Sequence, residues 1–307
     1  MLSIYKNTVQ QKKLQRIDDF ARLSWINAVN PDEKERKTLS ELLKIPSDVM
    51  EDSFDEYELP RVKMQDNNLI IILRAVIREG DTYRTTPLTI IMNELYIATI
   101  ALKDISFFED FITGKVEVFT TQQSNFFIKV CHRIVEYYQL YISTINRNVQ
   151  LRKKNLDDIK KSDIMILVES EELLNNMVAS LAPTINTIKK ILNYNYINLY
   201  RNDKELISDL LVDGEQVQEL GITTLKTIKN IRDGYTTVMS INLNRIIEFL
   251  TYITAIFTVP MVVSSIYGMN VGLPLAEKPY AFWIIELLSI GLIGVAVAVF
   301  MRIRKKL

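Results

Sequence analysis

The residues best able to do chemistry lie near the far end of the chain. Asn244, Ile247, Thr251, Thr254, Thr258, Met261, Ser265 and Gly268 follow one another at alternating steps of three and four, which puts them on one side of a helix. Leu250 flanks this stripe. Its polar members are hydroxyls and an amide, and it holds no carboxylate. Such a surface has no fixed charge with which to strip water from a small cation. It suits an ion that keeps its shell and meets hydroxyls, an Asn amide and backbone carbonyls through that water. Pro260 frees a carbonyl one turn back, near Ile256. A second use fits the same pattern, since Thr and Ser also bond back to their own helix or let two helices pack closely. The pattern alone leaves both uses open.

The element that must carry this stripe is apolar. Phe249 to Tyr267 contains no charge. As a helix it reaches ~28 Å, about one hydrocarbon core. Tyr280 to Met301 is equally long, with Glu286 its one charge, and the two read as transmembrane helices. Lys226, Lys229, Arg232 and Arg245 precede the first span, and Arg302, Arg304, Lys305 and Lys306 follow the second. Only Lys278 is basic between them. The asymmetry predicts both termini in the cytoplasm and Gly268 to Pro279 outside, with Tyr280, Phe282 and Trp283 at the outer aromatic belt. Two helices cannot enclose a pore, so conduction needs several copies around an axis. A simple anchor is the alternative.

Composition removes other classes. The 307 residues carry 37 basic and 37 acidic side chains, without the basic excess of a nucleic-acid-binding surface. One cysteine, Cys131, and one histidine, His132, cannot build a four-ligand zinc site or an intrachain disulfide, and fit a reducing cytosol. Met1 to Gln11 is polar and does not read as a signal peptide. There is no phosphate-binding loop and no hydrolytic triad, so neither an ATP-driven pump nor an enzyme is expected, and no cofactor.

Directly after the first span stands Ser265-Ile266-Tyr267-Gly268-Met269-Asn270. With its place before a second span and a short basic tail, it resembles the signature of the CorA family of divalent cation transporters. Asn244 matches a pore-facing family Asn. Asp209-Leu-Leu-Val-Asp213 resembles the start of the family's stalk helix. Trp25-Ile26-Asn27, Asp55 to Arg61 and Thr86-Pro87-Leu88 are similar to its N-terminal domain.

The resemblance implies an α+β cytoplasmic domain with a long helical stalk and two C-terminal transmembrane helices, assembled as a funnel-shaped homopentamer in the cell membrane. It divides the chain into an α/β domain over 1–121, a helical hairpin over 122–200 and a stalk over 201–248. The pore helix follows over 249–267, then an external loop over 268–279, the second span over 280–301 and a basic tail over 302–307. By position, Asn270, Gly268 and Met269 form the outer filter that receives hydrated Mg²⁺. Thr251, Thr254, Thr258 and Met261 line the middle. Ile247 and Leu250 make a hydrophobic constriction, and Asn244 a polar inner ring. Mg²⁺ is both substrate and regulator, with Asp209 as a stalk carboxylate that intracellular Mg²⁺ bridges to a neighbouring subunit. The loop departs from the family by placing Glu277 beside Lys278, and Thr258 stands where a Met is common. A related ZntB-like subgroup moves zinc, generally with a variant tripeptide. A membrane-anchored scaffold is the reading from another class.

In the soluble part, Leu69 to Ile77 and Leu88 to Ala101 read as β-strands, and Val116 to Phe119 as a further short one. Asp18 to Asn27 reads as a strand or turn. Pro31 to Leu43 reads as a helix begun at Asp32 and Glu33, and Asp48 to Glu58 as an acidic surface loop. Gln122 to Asn193 reads as a helical hairpin breaking near Asn155 or Lys161, with a kink at Pro183. Asn202 or Asp203 starts the last long helix, which passes Gly214, Gly221 and Gly234. Those glycines are either packing contacts or hinges. Glu169, Glu171 and Glu172 read as a solvated helix face or a cation-attracting cluster. His132 has a surface or packing role.

Overall fold

The computed structural model describes residues 1–8, 11–80, 82–153, 160–274 and 278–304. The chain divides into two units, Met1–Arg232 and Asp233–Leu307.

The described residues of the first unit form seven strands: β1 (Leu2–Thr8), β2 (Gln11–Ile17), β3 (Ser24–Val29), β4 (Arg61–Gln65), β5 (Asn68–Glu79), β6 (Thr82–Met92) and β7 (Tyr96–Ala101). They form one sheet in the order β2-β1-β3-β7-β6-β5-β4. Among the described residues only β3 and β7 pair in parallel, Ser24 against Tyr96 through Val29 against Ala101. The apolar runs are continuous because both faces of the central strands are covered. Neighbours alternate between two cores. Ile71, Ile90 and Ile97 belong to one, while Ile70, Ile91 and Ala98 belong to the other.

Helices α1 (Glu33–Leu43) and α2 (Ser47–Asp52) supply Leu39, Leu43, Val49 and Met50 to the second core. Helix α1 starts where Asp32 accepts the Glu35 N–H and Glu35 reaches back to the Asp32 N–H, a capping box. The other face receives α3 (Phe108–Ile112), α4 (Gln123–Lys153), α5 (Lys161–Asn193) and the first part of α6 (Arg201–Tyr267). Trp25 is fully buried here against Tyr5, Phe108 and Phe126, and its indole N–H donates to Thr99 Oγ1 at 2.8 Å. Pro183 lies inside α5. The second unit holds the rest of α6 and α7 (Ala281–Arg304).

Several expectations need correction. Leu88 to Ala101 is two antiparallel strands, because the Asn93 side chain accepts the Leu95 and Tyr96 N–H groups and turns the chain. Val116 to Phe119 forms no strand. Two side chains fix it to β1: Asn7 donates to the Val118 carbonyl and accepts the Thr120 N–H, and the Thr120 hydroxyl accepts the Asn7 N–H and donates to the Asn7 carbonyl. The stretch from Asp48 is helical through Asp52. Helix α4 is described through Lys153 and α5 from Lys161, the second position expected for the hairpin break, and Asn155 lies outside the described residues.

Candidate pore-lining site

Helix α6 carries two different surfaces. From Asp203 to Ile231 its buried residues recur at Ile207, Leu210, Gly214, Val217, Gly221, Thr224 and Ile228, the spacing of a helix that lays one face on a core. The helix begins at Arg201, close to the expected start, and the Asp203 carboxylate accepts the Tyr200 N–H. Two glycines are explained by close approach. A Cβ at Gly221 would sit 2.6 Å from a Val178 methyl, and one at Gly214 would sit 3.1 Å from Ile185. Gly234 has nothing within 4 Å, so packing does not account for it. Arg232, the last residue of the first unit, is ion-paired with Glu171. Glu169 and Glu172 are exposed.

In the second unit the expected stripe is exposed along its whole length. Asn244, Ile247, Leu250, Thr251, Thr254, Thr258, Met261 and Ser265 all face outward, as do Gly268, Met269 and Asn270 beyond the helix. Half-buried residues occupy a second stripe about 100° round the helix, at Glu248, Tyr252, Ala255, Val259, Val263 and Tyr267. Its counterpart on α7 runs through Ile285, Ser289 and Ile293, with Ser289 only 3% exposed.

The threonines of the exposed stripe all donate into their own helix. Thr251 gives its proton to the Ile247 carbonyl at 2.8 Å, Thr254 to Leu250 at 2.8 Å, and Thr258 to Thr254 at 2.7 Å. The hydroxyl proton is thereby used, and what faces outward is oxygen lone pairs. The two uses of threonine weighed from the sequence are therefore compatible. Back-bonding fixes the rotor, and the fixed rotor leaves an acceptor. The helix closes where Gly268 N–H donates to the Ser264 carbonyl and Met269 N–H to Ile266. A Cβ at Gly268 would lie 3.3 Å from the Ser264 oxygen, so glycine keeps this turn narrow. The Tyr267 hydroxyl donates to the Pro274 carbonyl at 3.5 Å, tying the start of the loop to the helix end.

Asp209 lies in the first unit and is exposed. Among the described residues no group of three or more His, Cys, Asp or Glu side chains could hold a metal ion. Glu277, Lys305 and Lys306 lie outside the described residues. Glu286 is exposed on α7. His132 is exposed 3.8 Å from Glu136. Cys131 is buried, and burial pushes its thiol far above the usual range. Ser289 was missed from the sequence. Its signal was a small polar residue one turn from Ile285 and Ile293 inside an apolar run.

Among the described residues two helices, α6 and α7, are long and apolar enough to cross a membrane. Their large apolar side chains are exposed, Leu287 to 76% and Phe257 to 71%. A soluble surface does not carry so much contiguous apolar area; with the family given below, this makes the chain a membrane protein.

The chain is 27% identical to the cobalt/magnesium transport protein CorA of Methanocaldococcus jannaschii, over 96% of this chain and 95% of that one. Its fold matches the complete structure of that organism's CorA magnesium transporter with a TM-score of 0.84 at 22% identity, covering 98% of both chains. The ZntB cytoplasmic domain from Vibrio parahaemolyticus is matched with a TM-score of 0.65 at 10% identity, over 78% of this chain and 97% of that domain, a likeness of fold alone. The family model described as CorA-like Mg²⁺ transporter protein matches residues 20–305, and the chain belongs to that family.

Proposed function

We propose that this chain is the subunit of a homopentameric channel that passes hydrated Mg²⁺, and related ions such as Co²⁺, into the cytoplasm. The observation that carries the reading is the stripe of α6, polar, uncharged and exposed in a segment apolar enough to span a bilayer. Hydroxyl oxygens turned to lipid lack hydrogen-bond donors, which is costly. Turned to a central water column lined by copies of the same helix, they are satisfied.

The chemistry follows from what hydrated Mg²⁺ presents. Its bound waters point hydrogens outward, so the shell needs acceptors and no donors. The outward lone pairs of Thr251, Thr254 and Thr258 fit that demand, as do the amide oxygens of Asn244 and Asn270. Without a carboxylate the stripe binds the shell weakly enough to release it. Gly268, Met269 and Asn270 form the outer filter, Met261 lines the middle, and Ile247 and Leu250 form the dry constriction toward the cytoplasm. Transport is passive. The potential supplies about 2.3 kcal/mol per charge per 100 mV, doubled for a divalent ion. Both termini lie in the cytoplasm, as the basic flanks of the two spans require. There intracellular Mg²⁺ at Asp209, completed by a neighbouring copy, holds the pore shut. One exposed carboxylate cannot bind the ion alone, which fits a site shared between copies.

The test is Mg²⁺ entry into sealed proteoliposomes holding a trapped indicator, with the inside made negative. Entry that the potential accelerates and cobalt hexammine blocks is the expected result. Proton-coupled Zn²⁺ entry without Mg²⁺ entry overturns it in favour of a zinc transporter. No flux of any metal leaves a membrane-anchored scaffold.

A further inference from the structure

Four chain connections meet at one end of the sheet in the first unit. They are the β4–β5 turn at Asn67, the β6–β7 turn at Glu94, the entry to α4 and the entry to α6. Between them lies an open cavity of about 770 Å³, within the size range of small-molecule pockets. Leu69, Met92 and Ile197, all buried, give it an apolar lining. Gln123 also lines it, and its side-chain amide donates to the Asn93 carbonyl at 2.7 Å. That bond uses the nitrogen and leaves Gln123 Oε1 as an acceptor of set orientation.

The charge of the lining has one sign. Asp203 and Glu94 line the cavity, and among the described residues no Lys, Arg or His does. The neighbouring Arg201 and Lys204 are exposed and do not line it. Asp203 is only 8% exposed. Its Oδ2 accepts the Tyr200 N–H at 3.2 Å, and its Oδ1 receives no hydrogen bond from the described residues. A carboxylate oxygen so far out of water and without a donor is costly, and a cation in the cavity relieves that cost.

We propose that this cavity binds a small aliphatic diamine, of the polyamine class, with one ammonium group at Asp203. A bare metal ion does not use the site well. Two carboxylates fall short of the three or more ligands that such an ion asks of the chain, and a metal gains nothing from Leu69, Met92 and Ile197. An alkylammonium ion uses both parts. Its N–H groups donate to the carboxylate and amide oxygens, and its methylenes lie on the apolar lining. Tyr196 and Tyr200 line the cavity as well, and aromatic faces attract ammonium groups. The inference stands on the first unit alone and does not depend on the transport reading.

The experiment uses the full chain in detergent and equilibrium dialysis with radiolabelled putrescine at fixed ionic strength. The expected result is saturable binding, with a higher thermal midpoint in the presence of the diamine. Asp203→Asn, which keeps an acceptor for the Tyr200 N–H, should weaken binding about tenfold or more, and Glu94→Gln about two- to fivefold. Ser124→Trp should abolish binding by filling the cavity while both carboxylates remain. Glu94 stands exposed on a turn, so its variant decides the matter if Asp203→Asn fails to fold. No saturable binding, or binding equal to the parent's in all three variants, overturns the proposal. Binding that persists in them and disappears in Asn270→Ala belongs to the far end of α6, which also overturns it. Displacement of the diamine by an equal concentration of Mg²⁺ assigns the cavity to a metal ion, with the same consequence.

Discussion

The two stretches of α6 obey opposite rules. Up to Ile231 the helix buries one stripe, and the rest is solvated. After Asp233 its described residues range from half-buried to exposed, and the exposed ones include Ile246, Ile247, Phe249, Leu250 and Phe257. In the first stretch periodicity reports a core within the chain. In the second it reports a surface for something outside the single chain. One helix can be read correctly only when the question is what each stripe faces.

Substitutions can break this comparison. The largest effect is expected at the outer end. Asn270→Ala should reduce Mg²⁺ entry to background while the oligomer elutes unchanged, and normal flux in that variant sinks the filter assignment. Next, Asp209→Ala should leave the channel conducting at millimolar internal Mg²⁺; inhibition identical to the parent protein would count against a regulatory carboxylate there. Two isoleucines on the same helix sharpen the contrast further. Ile228→Ala, at a fully buried site, should cost about 2–5 kcal/mol of stability. Ile247→Ala, 60% exposed, should leave the thermal midpoint of the first unit alone and raise Mg²⁺ leak instead. The glycines give the smallest effects, of opposite sign. Gly221→Ala should destabilise by about 1–3 kcal/mol through overpacking against Val178. Gly234→Ala should stabilise by up to about 1 kcal/mol, because it adds helix propensity and meets nothing. Thermal unfolding of the detergent-solubilised protein measures both.

The long apolar and heptad patterns were legible because they are local. The two apolar runs, the hairpin, the helix start at Asp32 and the continuous β5 run each carry a local signal. The edge strand β4 was not legible. Its sequence, Arg61-Val-Lys-Met-Gln65, is polar on an exposed edge. The better clue was Asp66-Asn67, both at positive φ, the two-residue turn that pairs β4 with β5. Hairpin β1–β2 was hidden for a related reason, since Lys and Gln interrupt its alternation. The false strand at Val116 shows the limit of propensity, because what holds that segment is Asn7, far away in sequence. The polar stripe of α6 was legible from spacing, whereas the fixed orientation of its hydroxyls needed the hydrogen bonds.

The parallel pairing of β3 with β7 sets a timetable for synthesis. Ser24 waits for Tyr96, and a contact so distant in sequence closes slowly. Yet the main core of the first unit ends at Ile231, before the first residue of the charge-free span at Phe249. Every partner that the sheet requires has therefore been translated before any segment that demands a bilayer. The order of the elements lets the first unit complete its core before the apolar spans are made.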